Sequence, residues 1–344
     1  MAISEQVDGR KLDDSEPLRL AVTIDTEEEG LWSGQYRSEA TVENIRGVPR
    51  FQEVCDANGV RPTYLVTTPV ARSDMAVEIL RSIQDSGRCE IGTHVHPWNS
   101  PPLLEEASSG RNSFLCNLPP EIQRAKIEGL TKLIEQQFCQ RPISFRAGRY
   151  GMGIEGIKIL RDLGYRVDSS VIPYTSYASQ GGPDFSSATC ESYYPGEVAI
   201  IERTTNQSLL EVPVTVGFTH SHFRLAHGLR SFAMRSPFRQ LKSVGILDRS
   251  GIACKVKLSP EQASLEQMQR LARSLVRRGT RTLILMFHSS SLMPGCSPYV
   301  VNDDELDGFL QRLDHFFRFC IGELRCDPIP LGEFYEHRSS LASV

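Results

Sequence analysis

Seven short runs of aliphatic and β-branched residues recur along this chain, separated by segments too long to be hairpin turns. They are LRLAVTI (18–24), RPTYLVTT (61–68), CEIGT (89–93), ISFRAG (143–148), RVDSS (166–170), LLEVPVTVGF (209–218) and TLILMF (282–287). Between most of them the apolar residues fall at helical spacing. This predicts helices over 42–57, with Gly47 and Pro49 weakening the first turns, and over 74–85, 119–138, 154–163 and 304–322. A further helix is expected at SPEQ (259–262), with Ser259 as its cap and Pro260 in its first position. Strands that alternate with connections of this length build a parallel sheet, since parallel neighbours need a crossover. The fold class is therefore α/β, either an open doubly wound sheet or a barrel of the β/α type.

The remaining segments limit what the chain can do. Residues 1–16 are polar and are expected to form a flexible tail ended by Pro17, with 17–338 forming a single catalytic domain. The start lacks the basic end and apolar core of a signal peptide, and no run approaches the length of a membrane span, so the expected location is cytoplasmic. Nine cysteines, an odd number without a CxxC pair, fit reduced thiols in that compartment. A net charge of -4 with scattered Lys and Arg offers no footprint for nucleic acid. The most basic stretch, 222–242, reads as a solvated face, and His220, His222 and His227, loosely spaced, read as structural or exposed. Oligomeric state is not legible. Long polar stretches at 97–117 and 174–208 are expected to shape a pocket, and 219–257 has no clear pattern.

In a β/α barrel, chemistry collects where strands end. Here the first strand is followed by DTEEE, the third by HVHPW and the seventh by HSSS; the fourth ends in RAGRYG and the fifth in DSS. Asp25, Glu27, His94, His96, Arg146, Asp168 and His288 would then share one rim. His94 and His96, two apart on an extended segment, point the same way and could reach one ion. Arg146, closing an apolar strand, needs a partner, and Asp25 across the rim would serve. His288 ends six apolar residues and must also be satisfied. Asp168 before two serines reads equally as a helix cap, and Glu28 and Glu29 read as an acidic loop.

TIDTEEE, EIGTHVHPW, FRAGRYG, VDSSVIP and LILMFHSSS resemble, in this order, the motifs of the polysaccharide deacetylase family, the carbohydrate esterases with a NodB homology domain. The resemblance runs from Leu18 to Glu333. It implies a distorted (β/α) barrel of about seven parallel strands, NodB-like, and a metal-dependent hydrolase that removes an acyl group from an N-acylated sugar or related amide. By position, Asp25 resembles the family's base, Arg146 the arginine that orients it, and His94 the first metal histidine. Asp168 resembles the carboxylate that tunes the catalytic histidine, and His288 that histidine, the general acid. Thr26 stands where a second aspartate is usual and Trp98 where the second metal histidine is usual. Glu27 and His96 are the expected substitutes, which suggests a subgroup of the family. The implied cofactor is a divalent ion, zinc first, with cobalt, nickel or iron fitting the same donors. Two alternatives keep the barrel: a hydrolase of a non-sugar amide such as a cyclic ureide, and a degenerate barrel that binds a sugar or metabolite without turnover.

Overall fold

The first apolar run becomes the central strand. β1 (Arg19–Thr26) is buried at every position but its first, as expected of a strand covered on both faces. β9 (Thr282–His288) pairs with it on one side and β2 (Thr63–Val66) on the other, both parallel. Beyond β2 come β3 (Glu90–Val95), β4 (Ser144–Ala147), β5 (Val167–Asp168) and β6 (Leu210–Glu211). Seven parallel strands thus run in the order β9-β1-β2-β3-β4-β5-β6 and curl into a half-barrel. A two-residue strand, β10 (Asp327–Pro328), adds to the start of β1. The computed structural model describes residues 17–34, 36–38, 40–104, 110–218 and 255–341. The expected tail at 1–16, the basic stretch 222–242 and His220, His222 and His227 lie outside the described residues.

The sixth predicted strand is two elements. Pro213, which has no N–H to give a ladder, interrupts it, and after β6 the chain re-forms as β7 (Val216–Phe218), antiparallel to β8 (Lys255–Lys257). The residues around this ribbon span the open side of the sheet. Thr215 N–H donates to Ile284 O at 3.3 Å, Ile284 N–H to Thr215 Oγ1 at 2.7 Å, and Met286 N–H to Leu258 O at 3.1 Å.

The α-helices among the described residues are α1 (Val48–Ala57), α2 (Thr68–Arg72), α3 (Asp74–Asp85), α4 (Pro120–Phe138), α5 (Ile154–Asp162), α6 (Leu265–Arg277), α7 (Asp303–Arg318) and α8 (Glu333–Leu341). The helix predicted from residue 42 begins as a 3₁₀ turn, Glu43–Gly47, before α1. Gly47 is required there, since a Cβ would lie 2.0 Å from the Leu292 carbonyl oxygen. The helix expected at Ser259 starts later. Ser264 and Gln267 form the reciprocal capping box of α6, satisfying two orphan amides, while Pro260, Glu261 and Gln262 form a turn.

Alternation along the strands separates two cores. Leu20, Val22 and Ile24 of β1 pack outward between sheet and helices. Ala21 faces inward with Val167, Leu210, Ile284, Ile329, Leu331 and Phe334, which plug the lower barrel. Thr23 and Asp25 follow Ala21 on the same inward face. The barrel interior is therefore apolar below and polar above, at the C-terminal ends of the strands.

Candidate active site

Asp25 is one residue from the end of β1, in register with His288 of β9. Its carboxylate meets Arg146, whose Nη1 donates to Oδ1 at 2.6 Å. Arg146 is fully buried, and its other donors are also satisfied: Nε bonds Ser169 O at 2.9 Å, and Nη2 bonds Thr23 Oγ1 at 3.0 Å and Ser169 Oγ at 2.9 Å. The guanidinium fork is thus locked in one orientation. Burial alone would push the Asp25 carboxyl up. Arg146, with His94 and His288, overcomes this and holds it well below the usual carboxylate range.

His94 is level with Arg146 on the neighbouring strand. Its Nδ1 lies 2.9 Å from the Arg146 carbonyl oxygen. A carbonyl only accepts, so Nδ1 donates, and Nε2 faces Glu27 Oε2 at 3.7 Å and Asp25 Oδ2 at 3.9 Å. His96, two residues on, repeats the arrangement with a carboxylate. Its Nδ1 donates to Glu28 Oε1 at 2.8 Å, and its Nε2 faces Glu27 Oε2 at 3.4 Å. Gly148 makes room for this ring: a Cβ there would fall 2.3 Å from His96 Cδ2.

Glu27, His94 and His96 present one ligand atom each, all within 4.8 Å of one another, a group that could hold a metal ion. The donor set fits one. Both imidazoles turn their inner nitrogen toward Glu27, and each outer nitrogen is held by an acceptor that fixes the ring, as in known metal–histidine sites. Charge fits as well. Asp25, Glu27 and Glu28 are at most 4% exposed, and the Arg146 guanidinium bonds only the first of them. Glu28 Oε2 is buried without a hydrogen-bond partner among the described residues. Against burial, Glu28 and Glu27 draw the His96 pKa up to about 10, while His288, His94 and His96 hold Glu27 down to about 2.

Two residues the sequence disguised belong to this cluster. Glu28, read as part of an acidic loop, accepts from His96, from Trp98 Nε1 at 3.0 Å and from Asn99 Nδ2 at 2.6 Å. Trp98, in the place of the family's second histidine, stacks on His96 with centroids 4.2 Å apart, and Tyr36 stacks on Trp98 at the same spacing. Thr26, in the place of the second aspartate, turns its hydroxyl back to Ile24 O at 3.0 Å.

His288 completes the ring, its Nε2 3.9 Å from Asp25 Oδ2. The resemblance assigns its tuning to Asp168, and here the structure departs from it. The carboxylate at His288 Nδ1 is Glu261, with Oε2 at 2.9 Å, while Glu261 Oε1 accepts from the His288 backbone N–H at 3.0 Å and from Ser291 Oγ at 2.7 Å. Burial would lower the histidine's pKa. Glu261, with Glu27 and Asp25, raises it to about 9. The reason for the exchange is topological: Leu258 runs beside Met286 at the end of β9, so the following turn delivers Glu261 to His288. Asp168 is far around the sheet and faces its register neighbour Glu211. Its Oδ1 accepts from Ser170 Oγ at 2.5 Å, and its carboxyl is coupled to that of Glu211 beside it. Burial raises both pKa values, that of Glu211 well above the usual range. Glu261, and not Asp168, is thus the carboxylate at His288.

Comparison with known proteins agrees with this architecture. No family model matches, and no curated protein matches. Among solved structures, a candidate polysaccharide deacetylase from Mycobacterium smegmatis superposes with a TM-score of 0.55 at 15% identity, covering 96% of this chain and 92% of that one. A candidate glycoside hydrolase/deacetylase from Parabacteroides distasonis gives 0.62 at 12% identity, covering 95% and 72%. The fold is that of the NodB-like deacetylase barrels. A GH57-type branching enzyme from Pyrococcus horikoshii also matches, with a TM-score of 0.51 at 11% identity over 93% of this chain and 70% of that one. At such identities the barrel is what is shared. Among the described residues, no helix of this barrel is long and apolar enough to cross a membrane.

Proposed function

We propose that residues 17–338 form one catalytic domain, a metal-dependent hydrolase that removes an acyl group, acetyl foremost, from the nitrogen of an N-acylated sugar or related amide. One observation carries this reading: a carboxylate paired with arginine, an imidazole paired with a carboxylate, and a Glu-His-His set converge from different strand ends within about one substrate group of each other. A surface that only binds has no need of an acid and a base tuned in opposite directions.

Glu27, His94 and His96 would hold the ion, with zinc favoured by the two nitrogen donors and cobalt, nickel or iron compatible with them. Bound there, a divalent ion supplies Lewis acidity to an acyl oxygen and to a water. Asp25, kept ionised by Arg146, takes the proton from the attacking water as its oxygen bonds to the acyl carbon. His288, protonated at neutral pH beside Glu261, gives a proton to the leaving nitrogen as the C–N bond breaks. The products are a carboxylic acid and a free amine. Glu28, Trp98 and Asn99 fix His96.

The test is metal content of protein purified without an affinity tag of histidines, alongside His94→Ala, followed by acetate release from N-acetylglucosamine oligomers. About one equivalent of a first-row ion, lost in the variant, with acetate release that depends on it, is expected. Protein that takes up no ion after incubation with zinc, cobalt, nickel and iron overturns the reading.

A further inference from the structure

The segment that follows His96, PWNSPP (97–102), is short of hydrogen-bond donors. Its six residues carry six carbonyls but only three N–H groups, because proline has none. Two of the three are engaged at the turn itself: the Asn99 and Ser100 N–H groups both donate to the His96 carbonyl oxygen, at 3.4 and 3.0 Å. Residues 97–100 are nevertheless buried. A buried loop with more acceptors than donors must find donors elsewhere.

They come from Lys126 on α4. It is the only lysine among the described residues that is fully buried, an environment lysine almost never enters unless paired. Its Nζ donates to Pro97 O at 2.8 Å, to Ser100 O at 2.6 Å and to Pro102 O at 2.6 Å. An ammonium has three N–H donors and no acceptor, so donors and carbonyls match one to one. Burial lowers its pKa to about 8, which leaves the charged form prevalent at neutral pH. A second tie, Thr68 Oγ1 to Ser100 Oγ at 3.0 Å, joins the loop to the start of α2.

We propose that Lys126 is a positioning residue of the metal site: its ammonium holds the 97–102 loop in the shape that lets Trp98 and Asn99 reach Glu28, which in turn holds His96. The proposal rests on the reading that His96 ligates the ion. The chain of contacts is continuous. Trp98 Nε1 and Asn99 Nδ2 donate to Glu28 Oε1, the oxygen that also accepts from His96 Nδ1, and the Trp98 ring stacks on the imidazole. Trp98 and Asn99 lie between Pro97 and Ser100, whose carbonyls Lys126 grips, so a shift of the loop moves both together. The bonds of Lys126 go to the loop backbone, and its action on the site runs through that loop.

The test compares Lys126→Met, which fills much the same space without donors and leaves three carbonyls unpaired, with Lys126→Gln, which keeps two N–H donors. Ile134→Ala, a buried truncation on the same helix, controls for lost stability alone. Zinc affinity of the full-length protein is read by competition with a chelator. Trp98 is read by acrylamide quenching in a Trp32→Phe background, since the chain has two tryptophans and Trp98 is 3% exposed. Expected are zinc affinity weakened on the order of tenfold in Lys126→Met, a smaller loss in Lys126→Gln, and Trp98 opened to the quencher in the same order. Ile134→Ala should lose stability and keep both readouts. Native zinc affinity and native quenching in folded Lys126→Met overturn the proposal, as do equal changes in Ile134→Ala, which would make Lys126 one more core residue. If Lys126→Met does not fold, Lys126→Gln carries the same decision. Trp98 opened in the variants, with no zinc uptake by the native protein, would sink the metal reading and leave the loop tie standing. Zinc uptake by the native protein with no effect of Lys126→Met would do the reverse.

Discussion

Three buried acids feel the charge of the Arg146 guanidinium, and they behave in opposite ways. Asp25 is ionised, whereas Asp168 and Glu211 are adjacent carboxyls that hold on to protons. Burial pushes all three pKa values up. The difference lies in partners: Arg146 directs its fork to Asp25, Thr23 and Ser169, leaving Asp168 and Glu211 side by side without a cation bonded to either among the described residues. Depth in a barrel therefore does not set the charge of an acid, whereas a correctly aimed cation does.

The sharpest way to break this comparison is Asp25→Asn. The variant is expected to keep its metal while acetate release falls about 10²–10⁴-fold, the range for loss of a general base; activity near that of the native protein would remove Asp25 from the mechanism. Next comes Arg146→Met, which strands a buried carboxylate. Denaturant unfolding should show a loss of about 3–5 kcal/mol, and a smaller loss would mean that Asp25 takes up a proton and needs no cation.

Glu28→Gln tests the corresponding arrangement at the proposed metal site. Weakening the acceptor behind His96 should cost about 10–100-fold in ion affinity, read by competition with a chelator, with little change in fold. In Glu261→Gln, the upper limb of the pH profile should move. The native His288 pKa is raised from 6.5 to about 9, so activity that needs its proton persists up to that pH and falls above it; without the Glu261 charge the fall should begin at lower pH. A limb that stays in place would assign the proton donor elsewhere.

The smallest effect belongs to the other pair. Asp168 and Glu211 have raised pKa values, so above the ordinary carboxylate range the folded state holds protons that the unfolded chain releases, and stability falls as pH rises. Glu211→Gln supplies a neutral partner outright. Its unfolding temperature relative to native should therefore improve from pH 5 to pH 8, with activity little changed. A relative loss over that interval would show that the pair is ionised after all.

Much of this site can be read directly from the residues. The apolar runs located β1, β3, β4 and β9, and a parallel sheet aligns their C-terminal ends, so Asp25, His94, Arg146 and His288 had to meet. The period of two placed Glu27 and His96 on the faces of Asp25 and His94. Less legible were the short or interrupted elements. β5 and β6 have two residues each, too few to show alternation, and Pro213 hid the break before β7. The capping signal in SPEQ was real in type but misplaced, because Ser264 offers the same chemistry five residues later and Glu261 is engaged at His288.

The sequence by itself determined which side chains stand at the strand ends and which way they face, because those follow from the covalent alternation of an extended chain. Only the tertiary structure decided which acid serves which base. Glu261 reaches His288 from a turn, Glu28 reaches His96 from another strand's end, and Asp168 turns to Glu211. Each of those pairings depends on a through-space distance between segments that no local periodicity encodes, and a displacement of a few ångströms separates a hydrogen bond from no contact.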